Sequence, residues 1–427
     1  MPTLEWIGKD KVVNHHLDVP YRVLEEQYTY NAEQSENMII RGDNLEALKA
    51  LLPRYEGKVK CIYIDPPYNT GNEGWVYNDN VNDPRIKKWL GEVVGKEGED
   101  LSRHDKWLCM MYPRLKLLQR LLAEDGAIFI SISDIEEEHL KLICNEIFGT
   151  VCFVARVTWQ NNYSPRNDAN GIPYETDNIL IYSKTPNWRP KRLPRTDEMD
   201  ARYTNPDNDP ILWTSSPAHA PGASTHRGMV FAIQHPMTGE LLYPPVDRHW
   251  NYEQSKILSI MSEWAEYELR DINDTEKRAS ICNAQNDDNF PPIKAVMLSE
   301  PLELAKEKAL LRYRRGSWPI YYFTGDGTGG IRKKSPMDMA SGKTVTTLWQ
   351  YSDVGTTVEA KNQIKRIFNN DVPFGTPKPT RLIERILQIA SDADSLVEIF
   401  SINYTYKTKC GIIRLRHRGG KVYEIHT

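Results

Sequence analysis

Lys58-Val59-Lys60-Cys61-Ile62-Tyr63-Ile64-Asp65-Pro66-Pro67-Tyr68 is the stretch around which the rest of this chain is organised. Its apolar run, 61–64, is typical of a buried parallel strand, which is apolar on both faces. Neither proline can donate a ladder hydrogen bond, so the strand is predicted to end at the acid. Ligands bind at the carboxyl ends of strands in open α/β sheets. We therefore predict a stiff catalytic site formed by Asp65, Pro66, Pro67 and Tyr68.

The chemistry of these groups suits an exocyclic amine on a nucleobase. Such an amine has two N–H donors, and the Asp65 carboxylate and the Pro66 carbonyl could accept one each. The nitrogen lone pair then faces an electrophile, while the Tyr68 ring stacks on the base. A base inside a duplex has to be flipped out to reach such a pocket. The alternative is a proline-terminated strand that carries an ordinary surface acid.

Composition excludes several broad classes of protein. The 427 residues carry a formal charge of -4, so nucleic-acid contacts have to come from local basic patches. The six cysteines are scattered without a Cys-x-x-Cys pair, which indicates buried thiols in a reducing compartment rather than a disulfide frame or a zinc site. We find no signal peptide and no apolar run long enough for a membrane span. The sequence predicts a soluble, cytoplasmic protein.

The first half of the chain alternates between strand and helix patterns. Residues 1–36 are predicted to form an N-terminal arm that packs on the main domain. Residues 37–184 are predicted to form a doubly wound α/β sheet that ends in an antiparallel hairpin. Asp43 follows a short strand in this region. It is either the N-cap of the next helix or an acceptor for the adenine amine of a cofactor.

Two further polar stretches of this half were considered. The acids Asp134, Glu136, Glu137 and Glu138 with His139 are interpreted as a charged first helical turn, and no metal site is predicted. Residues 69–105 are predicted to form a long polar loop behind the site, in which Trp75 and Tyr77 either pack or act as a wedge.

Residues 185–345 differ in character from the rest. Periodicity weakens, and basic residues alternate with aromatic ones, a pattern typical of phosphate and base contacts. This indicates an inserted α+β DNA-recognition domain, and the alternative is a solvated basic face. The candidate DNA-binding residues are Arg189, Lys191, Arg192, Arg312, Arg314, Arg315, Lys333 and Lys334.

Residues 346–400 return to the first domain. Thr376-Pro377-Lys378-Pro379 precedes a predicted helix that runs to about Ala390, and an apolar strand follows. Residues 401–427 form a tail that is basic around 407–421.

The order of these motifs resembles the beta class of DNA amino-methyltransferases, whose S-adenosylmethionine (SAM)-dependent, Rossmann-like fold is circularly permuted. The flanks 6–9, 111–115 and 349–355 look like the modification subunit of type III restriction-modification systems. The resemblance implies methyl transfer from SAM to N6 of adenine in double-stranded DNA. It also implies a homodimer that joins a restriction subunit carrying helicase and nuclease. Asp65 would orient the amine, and the cofactor-binding candidates are Asp43, Asp65, Thr376 and Lys378.

The chain departs from this family after Val397. The family continues with a Gly-x-Gly turn that lets the backbone approach the cofactor. Here residues 398–405 read Glu-Ile-Phe-Ser-Ile-Asn-Tyr-Thr, and the next glycine is Gly411. We expect an incomplete cofactor-binding half, from truncation or a frameshift near Val397, unless a divergent loop still works. Two hypotheses follow: a weakened adenine methyltransferase, or a DNA-recognition module or remnant without catalysis.

Overall fold

The computed structural model describes residues 3–30, 37–69, 100–164, 172–284, 290–339, 341–371, 376–401, 410–413 and 420–426. The chain divides into two compact units. Unit 1 comprises residues 1–193 and 344–427, and unit 2 comprises residues 194–343. The insert was predicted over 185–345, so unit 2 is slightly shorter than that segment. The predicted loop aromatics Trp75 and Tyr77 lie outside the described residues.

Unit 1 is built on one mixed sheet with helices on its faces. Strands and helices are numbered along the whole chain. Its strands are β1 (Val23–Tyr30), β2 (Met38–Arg41), β3 (Val59–Asp65), β4 (Leu122–Ile132), β5 (Phe153–Gln160), β6 (Thr176–Ser183), β16 (Leu348–Trp349), β17 (Val397–Ser401), β18 (Cys410–Ile413) and β19 (Gly420–His426). Its helices are α1 (Lys9–Val12), α2 (His15–Asp18), α3 (Asn44–Tyr55), α4 (Asp100–Leu121), α5 (Asp134–Phe148), α10 (Tyr351–Val354), α11 (Thr357–Ile367) and α12 (Thr380–Ala390).

Unit 2 contains three small sheets among the described residues. Its strands are β7 (Trp213–Pro217), β8 (His219–Pro221), β9 (Ile233–Gln234), β10 (Leu241–Leu242), β11 (Arg248–Trp250), β12 (Tyr267–Arg270), β13 (Ala295–Leu298), β14 (Tyr321–Phe323) and β15 (Ile331–Pro336). Its helices are α6 (Asp197–Asp200), α7 (Gln254–Met261), α8 (Thr275–Ile281) and α9 (Leu302–Arg315). The sheets have the orders β10-β9-β13-β12, β11-β8 and β14-β15-β7. The mixture of short strands and helices matches an α+β composition.

The sheet of unit 1 has the order β1-β19-β2-β18-β17-β3-β4-β6-β5-β16. Strand β3 is central and pairs in parallel with both β4 and β17. Because side chains alternate across a sheet, Ile62 and Ile64 pack toward α3 and α4, while Cys61 and Tyr63 pack toward α12. Both faces of β3 are therefore covered, which explains its continuous apolar run.

Strand β17 lies next to β3 although it comes more than 300 positions later in the chain. The half of the sheet predicted to bind the cofactor, which contains β17, thus follows the predicted catalytic half, which contains β3, along the chain. A circular permutation produces this order. On the other side, β6 runs antiparallel to both β4 and β5. This strand order agrees with the predicted fold class, a circularly permuted, Rossmann-like α/β sheet.

The tail, predicted to diverge, extends the sheet. Strand β18 begins at Cys410 and pairs antiparallel with β17, and β19 pairs in parallel with β2. Residues 402–409 separate β17 from β18, and a parallel return would need a crossover of about a dozen residues or more. The short connection therefore restricts β18 to a hairpin with β17.

Among the described helices, none is both long and apolar enough to cross a membrane.

Candidate active site

The carboxyl end of β3 forms the floor of the candidate site. Strand β3 ends at Asp65, as predicted, and Pro66 and Pro67 are buried directly behind it. Trp107 of α4 is fully buried, and its indole Nε1 donates to the Pro67 carbonyl at 2.7 Å. Among the described residues, none donates a hydrogen bond to the Pro66 carbonyl oxygen. One carbonyl of the proline pair is thus anchored in the core, and the other remains open to a donor.

Lys378 reaches the site from the segment before α12. Its Nζ lies 2.8 and 2.9 Å from the two carboxylate oxygens of Asp65. The same Nζ lies 4.9 Å from the centroid of the Tyr68 ring, within the range of a cation–π contact. The structure therefore brings together three of the predicted site residues. Asp65 and Tyr68 belong to the predicted catalytic set, and Lys378 belongs to the predicted cofactor segment.

Tyr68 presents its ring to this cation and buries its hydroxyl. The hydroxyl oxygen is buried and has no hydrogen-bond partner among the described residues. Burial, with the neighbouring Asp65 carboxylate, raises the pKa of Tyr68 well above its ordinary value. Tyr68 is therefore neutral at physiological pH, so its contribution here is an aromatic surface.

A cavity of about 300 Å³ opens beside these side chains. That volume is at the lower end of the range of small-molecule sites, about 300–1,000 Å³. The cavity is lined by Tyr68, Asn161, Asn162, Asp177, Thr357, Val358, Lys361, Thr376 and Lys378. The predicted residue Thr376 is exposed at its edge.

Asp177 at the start of β6 is a second carboxylate that sequence reasoning missed. Burial raises the pKa of Asp177 above its ordinary value, although a hydrogen bond from Asn161 and the charge of Lys378 oppose this. Asp177 pairs across the sheet with Trp159, and Asn161 follows that strand directly. No local signal marks either residue, since it is the antiparallel pairing of β5 and β6 that carries them to the cavity.

Asp43 acts as a helix cap in this structure. Its carboxylate accepts from the backbone N–H groups of Leu45 at 2.8 Å and Glu46 at 3.3 Å, at the N-terminus of α3. Strand β2, which precedes it, is separated from β3 by β18 and β17. Asp43 does not line the cavity described above. Its predicted cofactor role stays a prediction.

Glu398 on β17 is an acid inside an apolar layer. It pairs with Ile62 of β3 and therefore shares the sheet face that α3 and α4 cover. Only 1% of Glu398 is exposed, and its Oε2 has no partner among the described residues. Burial raises the pKa of Glu398 to about 8. The side chain is thus held as a neutral acid at pH 7.

The acids at the start of α5 form its first helical turn, as predicted, but two of them are buried. Glu136 is fully buried and Glu137 is 8% exposed. His104 Nδ1 lies 2.6 Å from Glu136 Oε1, and the same oxygen accepts from the Asn69 side chain. The reason is tertiary: α4 packs against α5 and covers this turn.

The candidate DNA-binding residues occupy different environments. Lys191 of unit 1 is paired with Asp392, and Arg192 of unit 1 donates to Thr344 Oγ1 at 3.1 Å. Arg189 donates to the carbonyl oxygens of two near neighbours in its own segment, Pro186 and Trp188. In unit 2, Arg314 and Arg315 are exposed at the end of α9, while Arg312 donates to the carbonyls of Gly316 and Ser317.

Lys333 and Lys334 point to opposite faces of β15 because successive strand residues alternate. Lys333 is partly exposed and lies over the Tyr252 ring at 5.3 Å. Lys334 is 3% exposed and is paired with Asp207 and Asp209. Its ammonium group is therefore paired inside unit 2 and is not available to a DNA phosphate.

Comparison with known proteins places this geometry in a family. The DNA methylase family, in its grouping of N6 and N4 methyltransferases, matches residues 59–398. The StyLTI Mod subunit of a type III restriction-modification enzyme from Salmonella typhimurium is 27% identical over 414 residues, which cover 92% of this chain and 53% of that protein. The EcoPI Mod subunit from Escherichia phage P1 is 39% identical over 197 residues, 43% of this chain and 30% of the relative.

The EcoP15I Mod subunit from Escherichia coli is 38% identical over 197 residues, again 43% of this chain and 30% of the relative. The chain thus spans about half the length of the first of these relatives. The matched residues include the Asp65–Tyr68 motif and Lys378, and the match ends at Glu398, the second residue of β17. The chain therefore belongs to the N6/N4 DNA methylase family, and its similar curated relatives include modification subunits of type III restriction-modification enzymes.

Proposed function

We propose that this chain is the DNA-recognising and adenine-holding part of an N6-adenine DNA methyltransferase of the type III modification class. In this proposal unit 2 contacts double-stranded DNA, and the site at the end of β3 receives an adenine that has been flipped out of the duplex. The methyl donor of this class is SAM.

The observation that carries the proposal is the contact between Lys378 and Asp65. The ammonium nitrogen stands where an amine that donates N–H groups would bind: within 2.9 Å of both carboxylate oxygens and over the Tyr68 ring. We interpret Lys378 Nζ as an internal stand-in for the exocyclic nitrogen of adenine. The adjoining cavity of about 300 Å³ provides space for a flat base.

The side chains would hold adenine as follows. One N6 hydrogen is donated to Asp65 and the other to the open Pro66 carbonyl, and Tyr68 stacks on the ring. Since both N–H bonds are engaged, the N6 lone pair is directed away from these two acceptors. Lys378 has to leave Asp65 when the base enters, because the two nitrogens compete for the same oxygens.

The residues after β17 do not fit SAM. A Rossmann-like cradle needs a glycine turn followed by a helix N-terminus, which together let backbone N–H groups approach the ligand. Here residues 398–410 contain no glycine, and the described chain returns as the antiparallel strand β18. Glu398 points into the apolar layer under α3, where it has no partner among the described residues.

A second candidate function follows from that hairpin. If β18 closes the edge of β17 permanently, the chain recognises DNA and holds the base without transferring a methyl group. Titration of the full chain with SAM by isothermal calorimetry separates the two functions. We expect no saturable binding, whereas micromolar affinity and N6-methyladenine in the product DNA would establish the methyltransferase.

The holding step can be tested without a cofactor and without knowledge of the recognition sequence. Two duplex pools are compared in which an abasic site faces either adenine or purine, which lacks only the exocyclic amine. Extrusion is easier for an unpaired base. We expect tighter binding of the adenine pool, by about tenfold for a buried hydrogen-bonded amine.

Asp65→Ala should abolish this preference while overall DNA affinity persists. Asp177→Asn serves as the matched control, because it removes another carboxylate of the same cavity and should keep the preference. Equal binding of the two pools by the wild-type chain would contradict the proposed adenine site.

The partners implied by the relatives are also part of the proposal. We propose that the chain self-associates as a homodimer and joins a restriction subunit. Light scattering of the purified chain measures the first, and copurification with the restriction subunit measures the second. A monomer at all accessible concentrations would contradict the homodimer.

A further inference from the structure

We propose that His104, Glu136 and His139 form a binding site for a zinc-class divalent cation behind the Asp65–Tyr68 segment. Each of the three offers one ligand atom, and these atoms lie within 4.8 Å of one another. Two imidazoles and a carboxylate are a donor set that zinc and other first-row divalent metals accept. The set joins α4 and α5, two helices that are apart in sequence.

Glu136 provides the first independent observation. Its side chain is 0% exposed, yet its Oε2 has no hydrogen-bond partner among the described residues. A buried carboxylate oxygen without a partner costs free energy, about 1–3 kcal/mol or more for a charged group. The nearest positively charged group available to this oxygen is the His139 imidazole, whose Nδ1 lies 3.1 Å away, and a cation bound between these two atoms would satisfy both.

His139 provides a second independent observation that points to a cation. Its Nδ1 lies 3.1 Å from Glu136 Oε2, but the two atoms are not aligned as a hydrogen bond, and this Nδ1 is also without a partner among the described residues. Ligands of a tetrahedral zinc ion with bonds of about 2.0–2.1 Å are separated by about 3.3 Å. The separation between these atoms is therefore close to that of two ligands that share one ion.

The other contacts of the cluster orient the Glu136 carboxylate. Glu136 Oε1 accepts from the Asn69 side chain and from His104 Nδ1 at 2.6 Å, which fixes the carboxylate plane. The rings of His104 and His139 lie 4.8 Å apart with an interplanar angle of 36°. The two histidine side chains are 20% and 34% exposed, so small rotations of the rings would draw all three ligands together. Metal ligands are commonly oriented by such hydrogen bonds.

The position of the cluster suggests its role. Asn69 directly follows Tyr68, is 2% exposed, and has a left-handed backbone with φ of 57°. A cation on Glu136 would hold this residue through its hydrogen bond and thereby fix the exit of the base-holding segment. The site is structural in this proposal, and it does not depend on whether SAM or DNA binds.

The test uses the full chain without an affinity tag and after chelator treatment. Isothermal titration with Zn²⁺ should give one saturable site per chain, and Co²⁺ at the same site should show the d–d absorption of a tetrahedral ion. Glu136→Gln and His139→Gln should each weaken zinc binding about tenfold or more. The variant His139→Gln changes a half-exposed side chain and should therefore fold.

His226→Gln is the matched control. His226 stacks on His249 at 4.4 Å in unit 2, and the hydrogen bonds of these two rings among the described residues go to a hydroxyl and to backbone carbonyls, not to a carboxylate. This variant should bind zinc like the wild type. No saturable uptake by the wild-type chain, or uptake that survives in both site variants, would overturn the proposal.

Discussion

Lys378 Nζ lies within 2.9 Å of both carboxylate oxygens of Asp65, although 313 positions separate the two residues. Their side chains are only 9% and 16% exposed. The pair joins the segment before α12 to the end of β3. The same contact therefore links the two halves of the sheet that are far apart in the sequence. It also occupies the proposed acceptor for adenine, and base entry therefore requires an exchange of one nitrogen for another.

The first prediction concerns the strength of this pair. In a double-mutant cycle with Asp65→Asn and Lys378→Met, we expect a coupling free energy of about 1–3 kcal/mol in urea unfolding. The pair is largely shielded from water, so it is screened less than a surface pair. The exposed pair of Lys191 and Asp392 is the control and should give less than about 1 kcal/mol. Equal coupling free energies in the two cycles would contradict the expected difference between a shielded and an exposed ion pair.

The second prediction concerns the anchor of the proline pair. Trp107→Phe removes the donor to the Pro67 carbonyl and leaves that oxygen buried without it. We expect a loss of about 1–3 kcal/mol in unfolding free energy and a smaller preference for adenine over purine DNA. Trp188→Phe removes the same volume from the opposite sheet face and should lower stability without changing the preference. An unchanged preference in Trp107→Phe would show that the anchor does not position the site.

The third prediction is a pH dependence set by Glu398. Burial raises its pKa to about 8 in the folded chain, so the folded state binds this proton more tightly than the unfolded state. The associated stability is complete below the ordinary glutamate pKa of about 4.3 and is lost as pH rises toward 8. Above pH 8 the difference is constant, on the order of 3–5 kcal/mol.

Glu398→Gln removes this ionisation with little change in shape. We expect the variant and the wild type to have similar melting temperatures at pH 4.5, and the variant to be the more stable one at pH 8. Glu384→Gln changes an exposed glutamate on α12 and should follow the wild type at every pH. Parallel melting curves for Glu398→Gln and the wild type would count against a buried neutral acid.

The fourth prediction separates two adjacent lysines. Lys334→Met leaves the buried carboxylate of Asp207 without its cation. Burial raises the pKa of Asp207, but hydrogen bonds from Lys334, Trp213 and Trp318 bring it below its ordinary value. We expect Lys334→Met to destabilise unit 2 by about 3–5 kcal/mol. Lys333→Met should stay within about 0.5 kcal/mol of the wild type in stability.

In DNA binding the order of the two effects should be reversed: Lys333→Met should have the larger effect and Lys334→Met the smaller one. If Lys333 neutralises a phosphate, Lys333→Met weakens binding and lowers the slope of log K against log salt by about 1. Folded Lys334→Met should retain the wild-type slope. The reverse pattern in filter-binding titrations would refute the assignment of the two faces of β15.

Local rules account for what the sequence made predictable. Two prolines cannot continue a ladder, so β3 had to end at Asp65 wherever the strand lay in the sheet. The alternation of strand and helix over 37–184 predicted the doubly wound α/β sheet, and the order of the motifs, through the family resemblance, predicted its permutation. The missing glycines after Val397 were likewise visible without any coordinates.

The tertiary structure decided the contacts that depend on register and on packing between distant segments. The packing of α12 on the sheet brought Lys378 to the end of β3, strand pairing brought Asp177 to the same cavity, and helix packing buried Glu136 beside His104. The pleat of β15 separated Lys333 from Lys334. No periodicity in the sequence encodes these contacts, because each depends on which segments become neighbours when the sheet assembles.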